Sequence, residues 1–301
     1  MDNQTYDADG RESLVQLSAR YDELESKYGF GKEPIYTVTF ESGQARHEVT
    51  VYCYQSAKKG PALWVLSGIH GEEPAGPNAI AQNIGYLGAL GQDIPVVIIP
   101  LLNPKGYCRD WRYPDERRDW RIGHSVGDSE HYLPDRKNPG QPRVPVPGSD
   151  IAAKVTKFVI DTAIGYPPVL TFDLHEDEEL ERGYLYSQGH KAADDKVAKE
   201  VIRILTESGI PLTMNGLTRF GEPIQAGVVV DENGQPVQDG SIDELLTAGV
   251  IIMAGEVVEK PAALTSLVIE TPIVAVALRR RIEAHSNILR QLRSLWAIAG
   301  K

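Results

Sequence analysis

Sulfur is scarce in this 301-residue chain, with two cysteines (Cys53 and Cys108) and three methionines. Two thiols so far apart build neither a disulfide scaffold nor a thiolate metal cluster, and both are expected as free, reduced side chains. Long apolar runs are also missing: no stretch approaches the roughly eighteen residues of a membrane span. The opening segment MDNQTYDADGRESL has no apolar core of the kind a secretory signal needs, so cytoplasmic residence is expected. Positive charge is short as well. Lysine and arginine number 31 against 42 acidic residues, leaving a formal charge of -11, which disfavours nonspecific binding to nucleic acid or an anionic membrane. The arginines from Arg109 to Arg121 are interrupted by Asp110, Asp115, Glu116 and Asp119, the pattern of a site loop and not of a polynucleotide track.

What is present is a run of alternating strand and helix signals. Leu14, Leu17, Tyr21 and Leu24 predict a first helix over Arg11 to Tyr28. Pro34 to Phe40 and Glu48 to Tyr54 follow as strands, and Ala62 to Leu66 is uniformly apolar, as a strand covered on both faces would be. A helix is expected up to about Leu90, then a buried strand over Ile94 to Pro100, and then a long polar stretch from 102 to 149. A connection of that length is uncommon unless it is functional or mobile, and its aromatic and charged content favours function. Beyond it come a helix over Ile151 to Ile164, a strand over Val169 to Leu174, a helix over Lys191 to Ser208 and a small strand at Val228 to Val230. Next is a short helix at Ser241 to Thr247, with a capping box pairing Ser241 and Glu244. Strands at Ile251 to Met253 and Ser266 to Ile269 precede a C-terminal helix from Val274 to Ile298. This order predicts an α/β fold of three layers, α/β/α, around a mixed, mainly parallel sheet. With no repeat and no clean linker, residues 1–301 are expected to form one domain.

The chemistry concentrates at strand ends. His70 and Glu73 lie three residues apart in the glycine-rich corner SGIHGEEPAG, and one helical turn can aim both side chains at one point. An imidazole and a carboxylate suit zinc, and a third protein ligand would leave a position for water. His175, after the strand VLTFDL, supplies a candidate, with Asp173 placed to orient it. Glu270 closes the strand SLVIE, where a carboxylate beside an activated water can act as general base. Asp177 and Glu178 offer oxygen ligands for a second ion, a spacing that is also common in solvated turns.

The order of SGIHGEEPAG, LLNPKGY, FDLHED and SLVIETP, spread from Ser67 to Pro272, resembles the zinc carboxypeptidase superfamily, which includes succinylglutamate desuccinylase and aspartoacylase. The resemblance implies one zinc ion on His70, Glu73 and His175, Glu270 as the base, and a hydrolase-like eight-stranded mixed sheet between helices. It also implies a loop arginine that stabilises the oxyanion, for which Arg118 is the first candidate and Arg112 the second, with Arg121 also in the loop. Lys105 replaces the usual aspartate of the family's Asn-Pro-Asp-Gly turn. The carboxylate clamp departs further. Val126-Gly127-Asp128-Ser129-Glu130-His131 puts Glu130 and His131 where an Asn-Arg pair is usual, and neither copies an arginine fork. An alternative alignment through Asp119-Trp120-Arg121 keeps an arginine and loses the asparagine. Tyr184 and Tyr186 follow the third ligand, where the family shapes its cleft. The implied activity is hydrolysis of an amide in a small peptide or an N-acyl amino acid. A noncatalytic metal- or peptide-binding module is the alternative, and the oligomeric state is left open.

Overall fold

The computed structural model describes residues 9–42, 45–115, 124–189 and 191–299. The first helix, α1 (Leu14–Tyr28), starts at a capping box between Ser13 and Gln16 and stops at Gly29, whose φ of 71° ends the helix in the left-handed region. Its Leu14, Leu17, Tyr21 and Leu24 form the buried stripe that the spacing predicts. The strands β1 (Gly31–Ser42) and β2 (Ala45–Gln55) pair antiparallel, followed by β3 (Ala62–Ser67), which is buried throughout. Next come α2 (Ala75–Gln82), α3 (Ile84–Asp93), β4 (Val96–Ile99) and α4 (Pro104–Arg109). After the long loop, α5 (Asp150–Gly165) leads to β5 (Pro168–Asp177), β6 (Tyr184–Ser187) and α6 (Lys196–Glu207). The chain continues through β7 (Asn215–Leu217), β8 (Pro223–Gln225), β9 (Val228–Val229) and α7 (Ile242–Thr247). A separate hairpin, β10 (Val250–Met253) with β11 (Glu256–Glu259), precedes β12 (Thr265–Pro272), α8 (Leu278–Arg290) and α9 (Leu292–Ala299).

The main sheet has the order β1-β2-β4-β3-β5-β12-β6-β9-β8-β7. It has ten strands, not eight, and five of its nine neighbouring pairs are antiparallel, which corrects the mainly parallel expectation. Parallel pairing is concentrated in the central β4-β3-β5-β12 group, whose uniformly apolar strands dominated the sequence pattern. The extra strands β7, β8 and β9 are two or three residues long and carry too little alternation to register.

Period-two alternation sorts the central strands onto two faces. Leu63 and Val65 of β3 join a core with residues of α1, α2, α3, α6, α8 and α9, while Trp64 and Leu66 face α5 and α7. The three-layer expectation therefore holds. Two expected helices are each divided. Asn83 separates α2 from α3, its side chain donating to Ala79 O and Ser286 Oγ, and Gln291 separates α8 from α9 by bonding back to Ile288 O. The second bend keeps Leu289, Leu292 and Leu295 all in the core. The helix expected from Lys191 begins at Lys196, where Asp195 accepts from the amides of Val197 and Ala198. At α7 the Ser241 hydroxyl accepts from Glu244 N, but Glu244 accepts from Gly240 N, so the box is displaced by one residue. No helix among the described residues is long and apolar enough to cross a membrane.

Candidate metal centre

The ligand corner is built by close backbone packing. Gly68 takes a φ of 64° after β3 and lets the chain turn against Leu101. Gly71 lies directly on Gly106, and its amide donates to the carbonyls of Trp111 and Arg112. Asn103 holds the other side: its amide donates to Gly68 O at 2.7 Å, its Oδ1 caps α4 at Gly106, and its Nδ2 reaches Arg112 O. The Asn-Pro-Lys-Gly turn is thus the buttress of the His70 loop. Gly71→Ala is expected to push these backbones apart and lower zinc affinity at least tenfold, read by competition with a chromogenic chelator.

On that scaffold His70 Nδ1 lies 2.8 Å from Glu73 Oε1, and His175 Nδ1 lies 2.8 Å from Glu73 Oε2. The three residues offer ligand atoms all within 4.8 Å of one another, the only such cluster among the described residues. His175 Nδ1 is buried and makes no hydrogen bond despite its short approach to Glu73. A buried ring nitrogen of this kind, aimed at a carboxylate, fits a metal ligand. His175 Nε2 is 3.1 Å from Asp173 Oδ2, in the place of the carboxylate that commonly orients a metal-bound imidazole. The donor set of two imidazoles and one carboxylate suits zinc and leaves a position open.

The electrostatics agree. Burial lowers His70 to about 4, with the Arg112 cation acting in the same direction, so its ring is neutral and free to ligate. Burial also lowers His175, but the Asp173 and Glu73 carboxylates more than reverse this and hold it well above its usual value. Burial raises Glu73, and His70 and His175 more than offset it. These carboxylates call for positive charge at the point where the three side chains meet, and a divalent ion held there would supply it in place of a proton.

Strand pairing brings in Glu270. The parallel register of β12 on β5 sets Glu270 beside His175 and Ser266 beside Thr171, with the two hydroxyls of the latter pair in contact. Burial pushes the Glu270 carboxyl up to about 8, the His175 charge opposing it. A cavity of about 350 Å³ opens over this edge and is bordered by His70, His175, Glu270 and Arg112.

The sequence profile of the family described as zinc carboxypeptidase matches residues 11–152, an interval that holds His70 and Glu73 and ends before His175. No curated protein matches the chain. Among solved structures, a candidate metallopeptidase from Shewanella amazonensis SB2B superimposes with a TM-score of 0.68 at 19% identity, covering 93% of each chain. Carboxypeptidase A from Helicoverpa armigera gives 0.60 at 12% identity, over 96% of this chain and 73% of that one. The chain has the zinc carboxypeptidase fold. A metallo-carboxypeptidase from Burkholderia cenocepacia shares it with a TM-score of 0.59 at 12% identity, over 95% of this chain and 70% of that one.

Within this carboxypeptidase fold the remaining candidates separate. Arg112 borders the cavity, its Nη1 lying 3.2 Å from Glu72 Oε1 and 3.1 Å from Glu73 Oε1. Arg118 and Arg121 lie outside the described residues, as does the alternative Asp119-Trp120-Arg121 alignment. Glu130 is exposed with its side chain against Gly240, and His131 packs at a tilt against the Tyr132 ring with Nε2 3.4 Å from Thr156 Oγ1; neither borders the cavity. Their neighbours Ser125, Gly127 and Asp128 do. Tyr184 is buried and donates to Asp177 Oδ2 at 2.6 Å, whereas Tyr186 borders the cavity and donates to Glu222 Oε2 at 2.9 Å. Asp177 Oδ1 also accepts from the amides of Glu179 and Leu180. Sequence reasoning missed Glu72, whose carboxyl burial pushes up to about 8 against the pull of Arg112, and the cavity residues Phe220, Glu222, Asp239 and Asp243. The helix-start signal at Ser241 could have located the last of these.

Proposed function

We propose that the chain hydrolyses an amide bond in a peptide or N-acyl amino acid, using one zinc ion held by His70, Glu73 and His175. The observation that carries this reading is the meeting of those three side chains beside Glu270 at the edge of a substrate-sized cavity. When bound, zinc supplies Lewis acidity and a nucleophilic water at neutral pH. Glu270 takes the proton of the attacking water on its carboxylate and returns it to the departing nitrogen, which leaves as an amine while the acyl carbon becomes a carboxylic acid. Arg112 borders the cavity and is the arginine we assign to the carbonyl oxygen. Arg118 and Arg121 compete for that role, and Arg121, Glu130 and His131 remain candidates for the substrate's far end. Asp173 keeps the His175 ring oriented, and Tyr186 forms part of the cavity wall.

The test is to load the full chain with zinc, measure metal per chain, and assay blocked and unblocked peptides together with N-acyl amino acids. One zinc per chain and turnover lost with a chelator and regained with zinc are expected. Tight peptide binding without turnover at full occupancy would replace the hydrolase with a binding module.

A further inference from the structure

On that reading of the site, we infer that His285 of α8, acting through Thr271, is a positioning residue that fixes Glu270 beside the metal ligands. Strand alternation lets a group on the opposite face do this. Leu267 and Ile269 of β12, and Leu170, Phe172 and Leu174 of β5, belong to the core that α8 covers. Thr271 and Glu176 continue those two rows on the same face, whereas Glu270 and His175 turn to the cavity. The register pairs Glu270 with His175 and, one step on, Thr271 with Glu176.

Helix α8 meets both members of that second pair within about one turn. Arg281 donates through Nε to Glu176, and four residues later His285 Nε2 lies 3.2 Å from Thr271 Oγ1. Residues four apart on a helix are neighbours on one face. Arg281 therefore holds the strand that carries a metal ligand, and His285 holds the strand that carries Glu270. His285 and Thr271 are both 0% exposed. Burial, the Arg281 cation and His175 all push the His285 ring down, to about 3, so it is neutral. A neutral imidazole and a hydroxyl can pair in either tautomer, one donating and the other accepting. What a polar pair adds in this apolar layer is direction: a hydrogen bond fixes where Thr271 sits, and apolar contact does not.

Strand β12 needs that anchor where it carries Glu270. The β6 ladder ends at the Glu270–Tyr184 pair, so Thr271 and Pro272 have β5 alone as a strand neighbour. Pro272 has no N–H to give to that ladder. Support from the α8 side reaches the strand through His285, one residue past Glu270. A shift of about 1 Å at a reacting group costs about 100-fold in rate, so this contact bears on turnover without touching substrate.

The experiment uses the zinc-loaded full chain and whichever blocked peptide or N-acyl amino acid it cleaves fastest. Thr271→Val and His285→Leu are each expected to lower kcat by about 100-fold. KM and zinc affinity should stay within about threefold of native, a split that a general loosening of the site would not give. The double variant should lose no more than either single one, because both remove the same contact. Thr271→Ser, which keeps the hydroxyl, should hold kcat within about threefold of native. Urea unfolding checks that each variant keeps its fold; should His285→Leu not fold, the near-isosteric Thr271→Val decides. A loss of less than about tenfold in Thr271→Val, losses that multiply in the double variant, or a parallel fall in zinc affinity would overturn the inference. If the native chain cleaves nothing, the hydrolase reading fails by itself. The placement is then read in crystals of zinc-loaded native and Thr271→Val protein. A Glu270 carboxylate displaced by about 0.5 Å or more relative to the ion upholds it, and an unmoved one overturns it.

Discussion

Glu270→Gln is expected to lower amide turnover by about a thousandfold while leaving one zinc per chain. Glutamine keeps the size of the side chain and most of its packing but cannot take a proton from water. Glu270 is not one of the three clustered ligand residues, so metal content should not change. The comparison that matters is kcat against KM: a group that acts on the proton in flight lowers kcat and kcat/KM together, whereas one that only contacts substrate raises KM. Turnover within tenfold of the native rate would remove Glu270 from the chemistry.

The second large effect lies behind the ligands. Glu176 is 2% exposed and Arg281 5%, and the two carry a charged contact between β5 and α8. Glu176 Oε2 also accepts from Ala75 N at 2.7 Å, at the start of α2, and its own amide donates to Glu73 Oε2 at 3.1 Å. Burial pushes the Glu176 carboxyl up, and Arg281 opposes that shift. Arg281→Met would strand this carboxylate and cost about 3–5 kcal/mol of stability, measured by urea unfolding of the zinc-free chain. The same change should loosen the loop that presents Glu73, so zinc affinity should fall as well. Adding Glu176→Gln to Arg281→Met should recover part of the stability, since a neutral amide leaves no buried charge unpaired. A loss below about 1 kcal/mol in the single variant would show the pair to be solvated and of little weight.

The metal ligands were legible because they stand at ends of apolar strands, and a strand end is visible in a single sequence. The alternation that sends Leu63 and Val65 to one face and Trp64 and Leu66 to the other was legible for the same reason. The far wall of the cavity was not. Phe220, Glu222 and Asp239 come from a stretch whose strands are two or three residues long, where no period can be read and tertiary contacts decide the path. The break at Asn83 carries a bond to Ser286 that only the folded chain supplies, whereas Gln291 makes a local bond back to Ile288 O that no hydrophobic pattern signals. Glu130 and His131, set at the clamp by correspondence with a motif, have their side chains against Gly240 and Tyr132 and do not border the cavity.

The alignment of β12 with β5 decides which way Glu270 points. Sliding one strand by a single residue would turn Glu270 toward the helices of the opposite layer and bring Ile269 to the metal's edge, without changing any residue of the centre itself. The hydroxyl contact between Thr171 and Ser266, and the bond from Thr265 to Asp195, guard that alignment from the strand's far end. Small alcohol side chains at the other end of the strand are thereby part of what keeps Glu270 in place.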